Sequence, residues 1–165
     1  MLKNIVLIGM PGVGKSTIGV VLAKVLGFEF LDSDLLIQKW EKRRLPEIIE
    51  SEGIPGFIEI ENRINASINV ENFIIATGGS AVYGKEAMEH FKQIGTIVYL
   101  KVSYETLQSR LGDLKNRGVV MKNGLTLRDL YKERCPLYEQ YADLVIDEEH
   151  LDIRATVEQI VSQLN

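Results

Sequence analysis

Gly9, Gly14, Lys15 and Ser16 satisfy the pattern G-x-x-x-x-G-K-[ST] in full, within the stretch "GMPGVGKST". That set grips a polyphosphate. Gly9, Gly12 and Gly14 let backbone N–H groups wrap the phosphates, and the start of the following helix adds partial positive charge. Lys15 reaches the terminal phosphate oxygens, and the hydroxyls of Ser16 and Thr17 lie where a phosphate-bound Mg²⁺ and the phosphates would be held. A phosphoryl-transfer site also needs a carboxylate beside the metal. The stretch "FEFLDSD" supplies two, Asp32 and Asp34. If the chain stays extended there, both project to one side. Asp32 would then hold or orient Mg²⁺, and Asp34 would accept a proton from an attacking hydroxyl. Against this stands capping, in which Ser33 and Asp34 only start the next helix. The guanine-reading motif N-K-x-D does not occur, so ATP is the expected donor.

These groups need a scaffold. The segment 3–8, "KNIVLI", is a continuous apolar run, as in a strand covered on both faces. Segments 28–32, 72–79, 96–102 and 143–147 read as four more strands. Helical spacing marks 15–27, 104–112, 126–142 and 151–164, with Pro136 expected to kink or break the third of these. Between the second and third strands, "SDLLIQKWEK", "LPEIIESEG" with Pro46 in its first turn, and 54–69 read as helices. The expectation is an α/β fold: a five-stranded parallel sheet, helices on both faces, ligands at the strands' carboxyl ends. The whole of 1–165 reads as one domain. Helices of about 33–69 would bind the acceptor, and residues 112–124, with Lys115, Arg117 and Lys122, would form a basic lid that excludes water. A solvated surface loop is the plainer reading of that segment.

The 165 residues are 45% hydrophobic and 25% charged, with a net charge of −4. That balance gives no electrostatic reason to expect nucleic acid. No apolar run approaches the roughly 18 residues of a membrane helix. The single Cys135 cannot form an internal disulfide, which is neutral to mildly supportive of a cytoplasmic protein; a monomer is the expected assembly. Cys135 reads as a packing residue. Trp40, on the helix after Asp34, would either pack in the core or touch the acceptor.

The order "GMPGVGKSTIG", "LDSD", "TGGSAV", a basic segment around Arg117 and "ERCPLY" resembles the shikimate kinases, nucleoside-monophosphate-kinase-like P-loop enzymes, over nearly the whole chain. The resemblance implies transfer of the γ-phosphoryl of ATP, with Mg²⁺, to the 3-hydroxyl of shikimate, in aromatic amino acid biosynthesis. It implies Asp32 and Ser16 at the metal and Asp34 at the accepting hydroxyl. Gly78 and Gly79 would offer N–H groups to the substrate, and Arg134 would meet its carboxylate. Arg117 would act from the lid, and Arg110 would stack on adenine. Three positions depart. The family's Phe-Arg-x-x-Glu is here Phe57-Ile58-Glu59-Ile60-Glu61, its third glycine is Ser80, and its lid Arg-Pro-Leu is Arg117-Gly118-Val119. Loss of the arginine should weaken shikimate binding unless another base, such as Arg63, substitutes. Arg63 sits about 140° further round the helix from position 58. Another hydroxy acid or a sugar acid, as in gluconate kinases, is the rival acceptor. A non-catalytic nucleotide-binding module is the rival of another class.

Overall fold

The computed structural model describes residues 3–111 and 124–165. Five parallel strands form one sheet: β1 (Asn4–Ile8), β2 (Glu29–Asp32), β3 (Phe73–Ala76), β4 (Thr96–Lys101) and β5 (Leu144–Asp147), in the order β2-β3-β1-β4-β5. All five lie inside the predicted segments. The helices are α1 (Lys15–Leu26), α2 (Ser33–Glu41), α3 (Leu45–Ala66), α4 (Lys85–Ile94), α5 (Tyr104–Arg110), α6 (Leu127–Tyr141) and α7 (Ile153–Leu164).

Every residue of β1 is buried, which explains its unbroken apolar run. Its one polar side chain, Asn4, is fully satisfied. The Nδ2 group donates to the carbonyls of Val70 and Ile94, both at 2.8 Å, and Oδ1 accepts from the Phe73 N–H at 3.0 Å. Asn4 thereby ties the amino end of β1 to β3 and to the end of α4. Asn4→Leu strands these three backbone groups and should cost about 3 kcal/mol. Urea unfolding checks this, the midpoint falling while the m-value holds.

One expectation about helices needs correction, and another is met with no loop between its parts. Pro136 does not break α6, which runs continuously through it. A proline removes one backbone donor and crowds the preceding turn, and the buried stripe of Leu130, Arg134 and Tyr138, which runs before and after it, holds the helix together across it. The two helices expected over 45–69 abut with no loop. Gly53, at φ 72° and ψ 171°, makes the sharp bend between them, and its φ lies where a side chain would be strained. Around that bend α2 and α3 build a small core of their own from Ile37, Ile48, Phe57 and Ile64. The main core lies on both faces of the sheet.

The register puts the functional loops together. Asp32 pairs with Ala76, and Ala76 pairs with Leu7. The chain therefore leaves β2, β3 and β1 at one edge, the carboxyl edge where α/β sheets hold ligands.

Candidate active site

The loop between β1 and α1 is held in a shape that its glycines permit. Gly14 caps α1 in the left-handed region (φ 90°). A Cβ on Gly9 would lie 2.7 Å from the Leu100 carbonyl oxygen. Lys15 curls back over the loop, its Nζ donating to the carbonyls of Gly9 (2.7 Å) and Met10 (2.9 Å). Burial pushes the ammonium down to about 8, with Asp34 the largest opposing influence. A buried cation beside free N–H groups at a helix start is a strong seat for a phosphate chain.

Asp32 does two jobs. Its Oδ1 accepts from the N–H groups of Asp34 (2.9 Å) and Leu35 (3.3 Å), so Asp32 caps α2. Its Oδ2 accepts from the Ser16 hydroxyl at 3.0 Å. Capping therefore falls to Asp32, not to Ser33 or Asp34. The chain also stops being extended at Asp32, so Asp34 belongs to the first turn of α2. The two acids still converge, because the helix turn brings Asp34 back over the cleft.

That cleft, about 330 Å³, is lined on one side by Gly12, Gly14, Lys15, Ser16 and Thr17, and on the other by Asp34, Phe57, Gly78, Gly79, Ser80 and Arg134. Among the described residues its cations are Lys15 and Arg134. Asp34 lies against Gly78 so closely that a Cβ there would sit 2.7 Å from Oδ1. Burial and then the charge of Asp32 push the Asp34 carboxyl up to about 6, against the pull of Lys15. At neutral pH it is ionised, and basic enough to take a proton.

Arg134 was the least legible of the expected residues. On a helix with Lys132 and Glu133 it reads as solvated, yet it is 1% exposed. Its Nε donates to the Tyr83 hydroxyl at 3.2 Å, and the Tyr83 ring lies under the guanidinium, 5.3 Å from Cζ to centroid. Tyr138 donates to the Gly79 carbonyl at 2.6 Å and fixes the turn beside it. Tyr83 and Tyr138 carried no signal in sequence, since a tyrosine's hydroxyl partner is set by the fold.

Arg110 stands over a second hollow, about 520 Å³, that opens from Gly14 and Thr17 toward Asp152 and Arg154. It pairs with Glu148 at 3.0 Å and reaches the Gly12 carbonyl at 3.5 Å. Burial raises the Glu148 carboxyl, opposed mainly by Arg110. Glu148 is another residue that the sequence did not single out.

Some expectations fall elsewhere. Trp40 is half exposed and lines neither hollow, so it serves neither as core nor as a cleft contact. Arg63 pairs with Glu41 at 3.7 Å, outside the cleft, and does not replace the arginine missing at position 58. Cys135 packs, half-buried, against the main core. Arg117 and the lid segment 112–123 lie outside the described residues.

Ser16 and Asp32 present two hard oxygen donors at the base of the phosphate seat. Among the described residues no group of three or more His, Cys, Asp or Glu side chains gathers as a metal cage. This is the donor set of a small divalent ion that takes one or two protein ligands and the rest from phosphates and water.

Comparison with known proteins agrees with this geometry. A family model described as shikimate kinase matches residues 11–165. A shikimate kinase of Methylococcus capsulatus is 35% identical over 97% of this chain and 91% of its own length. One from Pseudoalteromonas atlantica is 36% identical over 99% and 97%. Among solved structures, the shikimate kinase from Acinetobacter baumannii in complex with shikimate superposes with a TM-score of 0.88 at 36% identity, covering 99% of this chain and 93% of that one. A thymidylate kinase from Candida albicans, at 12% identity and TM-score 0.62, shares the fold alone. The chain belongs to the shikimate kinase family of P-loop small-molecule kinases.

Proposed function

We propose that this protein transfers the γ-phosphoryl group of ATP to the 3-hydroxyl of shikimate. The observation that carries the proposal is the single cleft in which Asp34 faces the phosphate seat of Lys15, with Arg134 beside it. The phosphate chain lies along Gly9–Thr17, and Lys15 exchanges its loop carbonyls for phosphate oxygens. Arg110 covers the adenine in the second hollow. Ser16 and Asp32 fit Mg²⁺, which supplies charge neutralisation at the phosphates when bound. Asp34 orients the acceptor hydroxyl and accepts its proton. The N–H groups of Gly78 and Gly79 and the guanidinium of Arg134 anchor the acceptor, the last through its carboxylate. Arg117, outside the described residues, is the further cation that the resemblance implies for the γ-phosphate. The enzyme works as a cytoplasmic monomer on small molecules, without nucleic acid.

Coupled ADP release tests this. MgATP alone should turn over slowly, and shikimate should stimulate the rate saturably. No stimulation by shikimate would overturn the assignment.

Ile58 favours a second reading, in which the chemistry stands and the acceptor differs. A half-buried isoleucine replaces a cation that resemblance places there, so an acceptor with a weaker need for a second carboxylate anchor would fit. A panel of hydroxy acids and sugar acids, gluconate included, separates the two by kcat/KM.

A further inference from the structure

Glu61 is a charged residue type in a place that does not pair charge. It is 1% exposed. Its Oε1 accepts from the Ser80 hydroxyl at 2.7 Å, and its Oε2 has no hydrogen-bond partner. Among the described residues it forms no ion pair. The residue one turn earlier on α3, where a cation would reach it at i, i+3, is Ile58. A buried carboxylate with one hydrogen bond and no cation is costly, and such a group keeps its proton instead.

Its surroundings point the same way. From α2 it faces Asp34: a Cβ on Gly78 would lie 3.1 Å from Glu61 Oε2 and 2.7 Å from Asp34 Oδ1. The two carboxyl groups thus flank one glycine. From α6 it feels Arg134, at a distance that lowers its affinity for a proton only weakly. From α4, Glu86 is engaged with Asn62 at 2.9 Å. Burial is the largest influence and pushes the Glu61 carboxyl up to about 8. The Ser80 bond opposes it, Asp34 adds to it, and Arg134 opposes it least.

We propose that Glu61 is a positioning residue that works as a neutral acid, pinning the Gly78–Ser80 turn through the Ser80 hydroxyl and leaving Asp34 as the one negative charge on that wall of the cleft. Ile58 and Ser80 are then a matched pair: without a cation at 58, a hydroxyl at 80 supplies the buried acid's one hydrogen bond. Ionised Glu61 would repel both Asp34 and an acidic acceptor across Gly78.

The role of Glu61 in acceptor binding rests on the function proposed above, but its protonation state does not. Infrared titration of the ligand-free protein tests the latter. Wild type should show a protonated-carboxyl band at pH 7 that E61Q lacks and that fades as pH passes about 8. Absence of that band overturns the proposal, whatever the acceptor. The kinetic test uses shikimate at saturating MgATP. Wild-type kcat/KM for shikimate should fall roughly tenfold per pH unit above pH about 8. E61Q, whose amide mimics the donor and acceptor of the neutral acid, should lose that limb. A limb of equal size in E61Q would assign it to another group, Lys15 first, and overturn the positioning role. S80A should move the midpoint up, because the hydroxyl favours the charged form, and I58R should move it down. Shifts of the opposite sign would also count against the pairing. If shikimate is not turned over at all, the function fails and the infrared result still decides Glu61.

Discussion

Asp34→Asn is expected to lower turnover by about 10²- to 10⁴-fold, the range for losing a general base, while ATP affinity changes little. The asparagine keeps the size of the side chain and its place against Gly78, where a Cβ would come within 2.7 Å of Oδ1. What it loses is the basic oxygen. Phosphoryl transfer asks little covalent chemistry of the protein and much positioning, so the residue that aims the hydroxyl carries a large share of the rate. In the proposed function the nucleotide is held by the Gly9–Thr17 loop and Arg110, and Asp34 reaches those contacts only through its charge on Lys15. Single-turnover kinetics with isothermal titration of ATP separates the two effects. Equal turnover would remove Asp34 from the chemistry.

Lys15→Met should cost about 10²- to 10³-fold in kcat, the scale of removing one preorganised donor from a developing charge, and should weaken ATP as well. Lys15 is bound to its own loop at Gly9 and Met10, so the cation is already in position and already desolvated. Only its hydrogen-bond partners change when phosphates arrive, from loop carbonyls to phosphate oxygens, and the phosphates' charge restores the affinity for its proton that burial has reduced. Methionine fills the volume without the charge, so the fold should hold and melting temperature should change little. A mutant that loses ATP binding but keeps kcat at saturation would confine Lys15 to binding alone.

The frame was legible because it rests on local pattern. The short apolar run "IVLI" directly before a complete phosphate-loop motif reads as a strand covered on both faces, because that motif joins a strand to a helix. The donor half of the cleft followed for the same reason: Gly9 to Ser16 are contiguous, so spacing and geometry are the same thing. The acceptor half is assembled from α2, α3, the turn after β3, and α6, and spacing says little about such distant parts. Arg134 against its tyrosine and Glu61 against Ser80 depend on contacts between segments far apart in the chain, whereas the Asp32 cap is local and turned on where α2 begins. Trp40 misled because a large aromatic usually packs inside, and here the face of α2 that carries it turns outward. Pro136 misled because propensity is a local statement and burial of the Leu130, Arg134 and Tyr138 stripe outweighs it.

The separate core of Ile37, Ile48, Phe57 and Ile64 has an evolutionary corollary. Since α2 and α3 share a core distinct from that of the sheet, selection can rework which metabolite is admitted while the phosphate loop after β1 stays fixed. Replacement of a cation by Ile58 on that module, with the phosphate loop complete, is the kind of divergence such a partition allows. New preferences can be grafted onto an old engine by editing one small, self-contained lobe.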